Sequence, residues 1–196
     1  MRIARAAVPL LTLAVAGFLL AACGGVKTYA NDTYRFSLSY DGSTFTQTSD
    51  TSAQGSAGGS SVFDVGFVDK NGTKTSDEYR DGVLLSVYKL TTNITPSMMP
   101  LVKGELGKLM PQLLESLGSD GEIGALQDAE AGGVQGFSAD ATFSMDGVPF
   151  KARLYFLING ELEYQITLQA AEDRWADLEP KFQQVIDGFT ATPAAE

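Results

Sequence analysis

Few residues in this chain have side chains suited to covalent or acid–base chemistry near neutral pH. The sequence contains one cysteine, Cys23, and no histidine. Histidine is the usual general base of enzymes and the commonest metal ligand, so its absence removes both roles. A single cysteine also excludes an intramolecular disulfide. Cys23 is therefore the residue with the most distinctive reactivity, and the sequence that precedes it indicates how its thiol is used.

Cys23 follows a short apolar segment that has the pattern of an export signal. Arg2 and Arg5 precede an apolar run over residues 6–20, which is too short to span a bilayer comfortably. Residues 20–23 then read Leu-Ala-Ala-Cys. This tetrapeptide resembles the lipobox of bacterial lipoproteins.

The lipobox resemblance implies that residues 1–22 are a lipoprotein signal peptide. It also implies a diacylglyceryl thioether on Cys23 and often N-acylation, for instance with palmitate. Two acyl chains, at ~0.8 kcal/mol per buried methylene, would anchor the mature chain stably on the extracytoplasmic side of the cell membrane. The alternative is an ordinary secretory signal that leaves Cys23 as a free thiol. An exposed thiol is a liability in an oxidising compartment.

The charge of the chain excludes one class of partner. Acidic residues number 24 and basic residues 14, which gives a net charge of −10, and removal of residues 1–22 takes away two further arginines. Nucleic acid and anionic headgroups repel such a chain, so we expect no nucleic-acid partner and attachment to the membrane through lipid alone. We also predict no metal and no cofactor: the acidic segment 69–81 lacks the spacing of an EF-hand loop, and the glycines of segment 55–59 lack the lysine and helix of a phosphate loop.

Hydrophobic periodicity predicts a single globular domain over residues 34–190, preceded by a polar lipidated tether over residues 23–33. Alternating or continuous apolar residues predict strands over 34–40, 62–68, 83–90, 134–144, 148–158 and 162–168. Asp146-Gly147 and Asn159-Gly160 are tight-turn signals that join the last three strands into a meander. The fold class is therefore predicted as α+β, with an antiparallel sheet of about six strands. Strand 83–90 is apolar on both faces, which predicts cover on both sides.

Two amphipathic helices complete the predicted domain. The first covers residues 96–117 and carries Pro111, which is expected to kink or interrupt it; the second covers about 173–187. Three methionines of the first helix region can line an adaptable lipid pocket or fill gaps in the core: Met98, Met99 and Met110.

Lys151 and Arg153 form the one candidate surface site outside the anchor. They alternate with the inward residues of strand 148–158, and the predicted hairpin places Gln165 and Thr167 beside them. In so acidic a chain they are a candidate contact for an anion or a partner. The alternative is pairing with nearby carboxylates.

Several apolar patterns resemble a known family. They are the strand of residues 34–40 (Tyr-Arg-Phe-Ser-Leu-Ser-Tyr), the paired strands around Asn159-Gly160, and residues 175–189 with the pattern W…L…F…VIDGF. Together they resemble the PsbP/Mog-type α/β/α sandwich, which includes LpqN-like lipoproteins of actinobacteria. The resemblance implies two main helices packed on the sheet and a non-enzymatic accessory module that binds a partner.

These observations predict a membrane-anchored, non-enzymatic envelope lipoprotein that binds an envelope protein, a cell-wall component or another ligand. The alternative function is a carrier of lipid or glycolipid in a hydrophobic cavity. We expect no enzymatic activity, because polar residues such as Ser138 and Asp140 show only the outward spacing of a strand.

Overall fold

The computed structural model describes residues 25–48, 50 and 61–192. The predicted signal peptide and Cys23 lie outside these residues. The helices are α1 (Met99–Leu117) and α2 (Trp175–Asp187), each preceded by a 3-10 turn (Pro96–Met98 and Glu172–Arg174). The strands are β1 (Val26–Asn31), β2 (Phe36–Asp41), β3 (Phe45–Gln47), β4 (Phe63–Asp69), β5 (Lys74–Thr75), β6 (Glu78–Tyr79), β7 (Gly82–Ile94), β8 (Ser119–Ile123), β9 (Gln127–Ala131), β10 (Val134–Met145), β11 (Val148–Ala171) and β12 (Thr190–Ala191).

The main sheet is antiparallel and has seven strands, in place of the predicted six or so. Their order is β3-β4-β7-β11-β10-β8, and β9 also pairs with β10. Strands β8 and β9 come from an acidic segment without apolar alternation, and both lie along the outer edge of β10. Edge strands are held in a sheet mainly by backbone hydrogen bonds, so their side chains need no periodic apolar pattern.

Strand β11 is one run of extended residues that doubles back on itself. Its first part pairs with β10 over residues 148–157, and its second part pairs with β7 over residues 160–169. Lys151 Nζ lies 3.0 Å from Glu172 Oε1, whereas a straight strand rising ~3.3 Å per residue would separate them by about 70 Å. Gly160 has a φ of 67°, which a turn tolerates easily when the residue is glycine. The reversal agrees with the turn predicted at Asn159-Gly160.

Helices α1 and α2 lie on opposite faces of the main sheet. Alternate residues of β11 show this directly, since Leu154 and Phe156 belong to the core beneath α1. Their neighbours Tyr155 and Leu157 belong to the core beneath α2. Helix α1 continues through Pro111, so the predicted interruption does not occur. The predicted α+β class and its two-helix sandwich are confirmed.

A three-stranded sheet, ordered β1-β2-β12, packs beside α2 on the same side of the main sheet. The ring of Phe36 in β2 lies 5.8 Å from that of Tyr164 and 6.4 Å from that of Phe189. Strand β1 falls inside the predicted tether, so that prediction is wrong for residues 26–31. The sequence missed it because β1 is mostly exposed and only its tyrosine packs inward, which leaves no clear alternation.

The acidic segment 69–81 is ordered by a buried ion-pair cluster. Asp69 and Asp81 are 3% and 0% exposed. Arg174 Nη2 lies 2.7 Å from Asp69 Oδ2, and its Nη1 lies 2.8 Å from Asp81 Oδ2. Asp81 also accepts the backbone N–H groups of Thr73 and Ala171. Two acids of the predicted solvated loop are therefore buried, and they join the start of α2 to the strands β4 and β7.

Candidate binding cleft

Helix α1 covers only part of the sheet face on its side. Its buried residues, Leu106 and Met110, join a core formed mainly by β10 and the first half of β11. Strand β7 lies outside that cover, and Leu84 on its open face is 46% exposed. The prediction that strand 83–90 is covered on both sides is therefore wrong. Apolar residues occur on both faces of β7 for different reasons. One face packs against the core beneath α2, and the other is a partly open surface that includes Leu84.

A cleft of about 460 Å³ separates α1 from the end of β7. Its volume lies within the usual range of small-molecule and side-chain binding sites. Most of the lining is apolar, and three structural elements supply it: Leu90, Thr91, Thr92 and Ile94 from β7; Met98, Leu101, Val102, Glu105, Leu106 and Leu109 from the start of α1; Ile158 and Glu163 from β11. Leu101 and Leu109 are 62% and 46% exposed, so the cleft presents large apolar side chains to solvent.

Glu163 is a buried acid in the wall of this cleft. It is 9% exposed, and its Oε1 accepts a hydrogen bond of 3.0 Å from Gln165 Nε2. No fully buried side-chain oxygen among the described residues lacks a partner, and no hydrogen bond uses Glu163 Oε2, so that oxygen keeps contact with solvent. Burial raises the pKa of the Glu163 carboxyl above its ordinary value, and the hydrogen bond from Gln165 opposes this rise only in part.

The described neighbours of Glu163 bring no positive charge to it. Tyr88 stands opposite it in the β7–β11 register. The pKa of the Tyr88 hydroxyl is raised, first by burial and then by the charges of Asp64 and Glu163. The second acid of the cleft, Glu105, lies 2.7 Å from Lys108 Nζ in an exposed pair. No lysine or arginine lines the cleft in the part of the chain that the structure describes. The cleft therefore offers a negative charge and a hydrogen-bond acceptor within apolar walls, which suits binding.

The structure places Lys151 and Arg153 away from this cleft, on the α2 side. Lys151 pairs with Glu172, and Arg153 Nε lies 2.6 Å from Asp140 Oδ1. These contacts are the alternative considered for the two residues, and a contact with a further anion or partner stays a prediction. Gln165 and Thr167 were expected beside them but face the α1 side. The expectation is wrong because Tyr164 and Ile166, which alternate with them, point into the core beneath α2.

Sequence reasoning missed Glu163 and identified the cleft only in part. Glu163 follows the polar alternation of its strand, so it is indistinguishable from a solvated residue by pattern alone. The methionine prediction divides between its two alternatives, because Met98 lines the cleft whereas Met110 is buried in the core. Leu101 carried a usable signal: helical spacing places Val102, Leu106 and Met110 on one apolar face, and Leu101 widens that apolar surface beyond what the sheet covers.

None of the helices in the described residues is both long and apolar enough to cross a membrane. No group of three or more acidic or sulfur side chains in this part of the chain is placed to hold a metal ion.

Comparison with known proteins identifies the fold. No protein-family model matches the chain, and no curated protein matches it in sequence. The solution structure of cyanobacterial PsbP (CyanoP) from Synechocystis sp. PCC 6803 has a TM-score of 0.59 at 16% identity, over 88% of this chain and 99% of that one. A Bacteroides thetaiotaomicron structure has a TM-score of 0.54 at 13% identity, over 87% of this chain and half (50%) of that one.

A third similar structure is LpqN of Mycobacterium tuberculosis, described as involved in cell envelope biogenesis. It has a TM-score of 0.48 at 18% identity, over 66% of this chain and 72% of that one. The likeness to cyanobacterial PsbP extends over nearly the whole of that protein. The chain therefore has a PsbP-like fold, as the resemblance in its sequence predicts.

Proposed function

We propose that this chain is a lipid-anchored, non-enzymatic module of the bacterial cell envelope that binds a partner protein through the cleft beside α1. The observation that carries the proposal is the cleft itself, in which the exposed side chains of Leu101 and Leu109 border the buried acid Glu163. Clustered apolar side chains on a soluble surface mark sites of interaction.

The charge of the protein indicates the chemistry of that partner. The net charge is −10, and the cleft and the adjoining sheet face carry Glu105, Glu163 and Asp64. A basic, amphipathic segment of another protein complements this surface in both respects. Complementary charge favours association and excludes acidic competitors.

The location follows from the lipobox resemblance and from β1. Lipid on Cys23 would hold the mature chain at the extracytoplasmic face of the membrane. Since β1 begins at Val26, only Gly24 and Gly25 would separate the lipidated residue from the first strand. Two residues span at most about 7 Å, so the domain would lie directly on the bilayer surface.

Site-specific photocrosslinking in living cells tests the binding role. A photoreactive amino acid is placed at Leu101 or Leu109 in the cleft, and at Glu115 as a control on the exposed surface of α1. We expect the two cleft positions, but not Glu115, to capture the same envelope protein. That protein, once purified, should lose at least tenfold in affinity for a Leu109→Asp variant. Equal capture at all three positions, or none, contradicts the proposal.

The apolar walls of the cleft also favour the second function, a carrier of lipid or glycolipid. In the same experiment a carrier would give crosslinks to lipid at Leu101 and Leu109 without a protein adduct. Native mass spectrometry of the mature chain with Cys23→Ala, which removes the anchor, should then show a bound lipid. An empty protein in that measurement counts against the carrier.

A further inference from the structure

We infer that Glu163 is the anchor point of the cleft for a cationic side chain, a lysine or arginine presented by the partner. The inference rests on the proposed function and gives it a specific contact. The carboxylate would receive the ammonium or guanidinium group, while the methylene stem of the side chain packs against the apolar walls.

The buried carboxylates of this protein differ in the groups that they contact. Three carboxylates are buried among the described residues: Asp69, Asp81 and Glu163. Asp69 and Asp81 share the guanidinium of Arg174. Glu163 has the neutral amide of Gln165 as its hydrogen-bond donor, and it forms no ion pair with any described residue. Burying a carboxylate without a counter-charge is costly, so a position that keeps one is suited to a cation supplied from outside.

The cleft around this carboxylate has a shape that suits a lysine or arginine side chain. Leu106 and Ile158 line the same cleft, and both are largely buried, so they form a dry wall next to the acid. Lysine and arginine combine an apolar stem of three or four methylenes with a charged end. That combination matches an apolar cleft with one buried acid in its wall. One buried carboxylate, with the second acid of the cleft exposed and paired to Lys108, supplies too few ligands for a calcium ion, which takes six to eight oxygens.

No described residue of the cleft can already neutralise Glu163. Among the described residues no lysine or arginine lines the cleft, and Lys108 on α1 is engaged by Glu105 at 2.7 Å on the exposed side. Tyr88, which faces Glu163 in the β7–β11 register, carries no positive charge, and the charge of Asp64 near Tyr88 is negative. A cation from a partner would therefore meet no competing positive charge.

A pair of small probes tests the inference without the unidentified partner. The mature chain with Cys23→Ala is titrated with hexylammonium chloride and, separately, with 1-hexanol, and amide chemical shifts are followed by NMR. Both probes have the same alkyl stem, so the comparison isolates the charge. We expect shifts centred on the cleft and a dissociation constant at least tenfold lower for hexylammonium.

Two matched variants locate the charge effect. Glu163→Gln keeps the acceptor for Gln165 and should weaken hexylammonium at least tenfold while leaving 1-hexanol unchanged, which also shows that the variant is folded. Glu115→Gln, at an exposed acid of α1 outside the cleft, should change both constants by less than twofold. Equal affinity of the two probes, loss in the Glu115 variant alone, or no shift in the cleft overturns the inference. The photocrosslinking result is independent of these outcomes, so a cleft that captures a partner while Glu163→Gln has no effect refutes only the role of Glu163.

Discussion

Arg174 fixes the segment between β4 and β7 through its contacts with residues at both ends of that segment. Its guanidinium contacts Asp69 at the end of β4 and Asp81 just before β7, and it also donates to the backbone oxygen of Asn71. Side chains from sequence positions about a hundred residues apart therefore fix one loop. The acidic residues of this segment were visible in the sequence, but the arginine that buries two of them was not, since nothing local to residue 174 indicates its partners.

We predict that Arg174→Ala lowers the free energy of unfolding by about 3 kcal/mol, because it leaves two buried carboxylates without their counter-charge. The side chain of Arg174 is 29% exposed, so we expect the loss in free energy of unfolding to lie at the lower end of the range for breaking a buried ion pair. Urea unfolding measures it. Lys108→Ala removes an exposed pair and should cost less than about 0.5 kcal/mol. Similar losses in both variants would contradict this account of the cluster.

Glu163 should make the stability of the protein depend on pH. Its pKa is raised in the folded state by burial, so the unfolded chain loses that proton first as the pH rises and folding becomes less favourable. We predict that Glu163→Gln is more stable than the natural chain at pH 7 and that the difference disappears near pH 3, which lies well below the ordinary glutamate pKa of about 4.3, so that the carboxyl is protonated in both states. Thermal unfolding at several pH values checks this. A stability difference that does not change with pH would argue against a raised pKa.

At the scale of elements, the strength of the apolar pattern determines what the sequence could predict. Both helices and strands β2, β4, β7 and β10 were located, because each has a face in a dry core. Strands β1, β8 and β9 were missed, because they lie at sheet edges and bury few side chains. The cleft was only partly foreseeable, since it depends on how far α1 extends across the sheet, which no local pattern records.

Strand β1 is part of the folded domain, and Tyr29 provides the test. Its ring lies 6.0 Å from that of Phe36 and 5.9 Å from that of Phe67. We predict that Tyr29→Ala lowers the free energy of unfolding by about 2 kcal/mol through lost packing. Lys27→Ala, at an exposed position of the same strand, should change it by less than about 0.5 kcal/mol. An unchanged free energy of unfolding for Tyr29→Ala would instead support the tether predicted over residues 23–33.

At the scale of the whole molecule, the proposed lipid anchor on Cys23 is the feature most open to direct test. We predict that the natural chain partitions into the detergent phase of a Triton X-114 separation and incorporates a clickable palmitate analogue. Cys23→Ser removes the thiol that would carry the proposed thioether, so this variant should appear in the aqueous phase without label. A natural chain found in the aqueous phase with an unmodified thiol would favour the ordinary secretory signal.

The small sheet has a further consequence for the order in which the domain is completed. The first and last strands of the described fold, β1 and β12, both pair with β2, one on each edge. A chain that crosses a membrane from its N-terminus releases β12 last, so β2 keeps one edge unpaired until about 150 further residues have emerged. An unpaired edge can accept a strand from another chain. Truncation before Thr190 leaves this edge of β2 unpaired, so the truncated chain should aggregate more readily than the full chain.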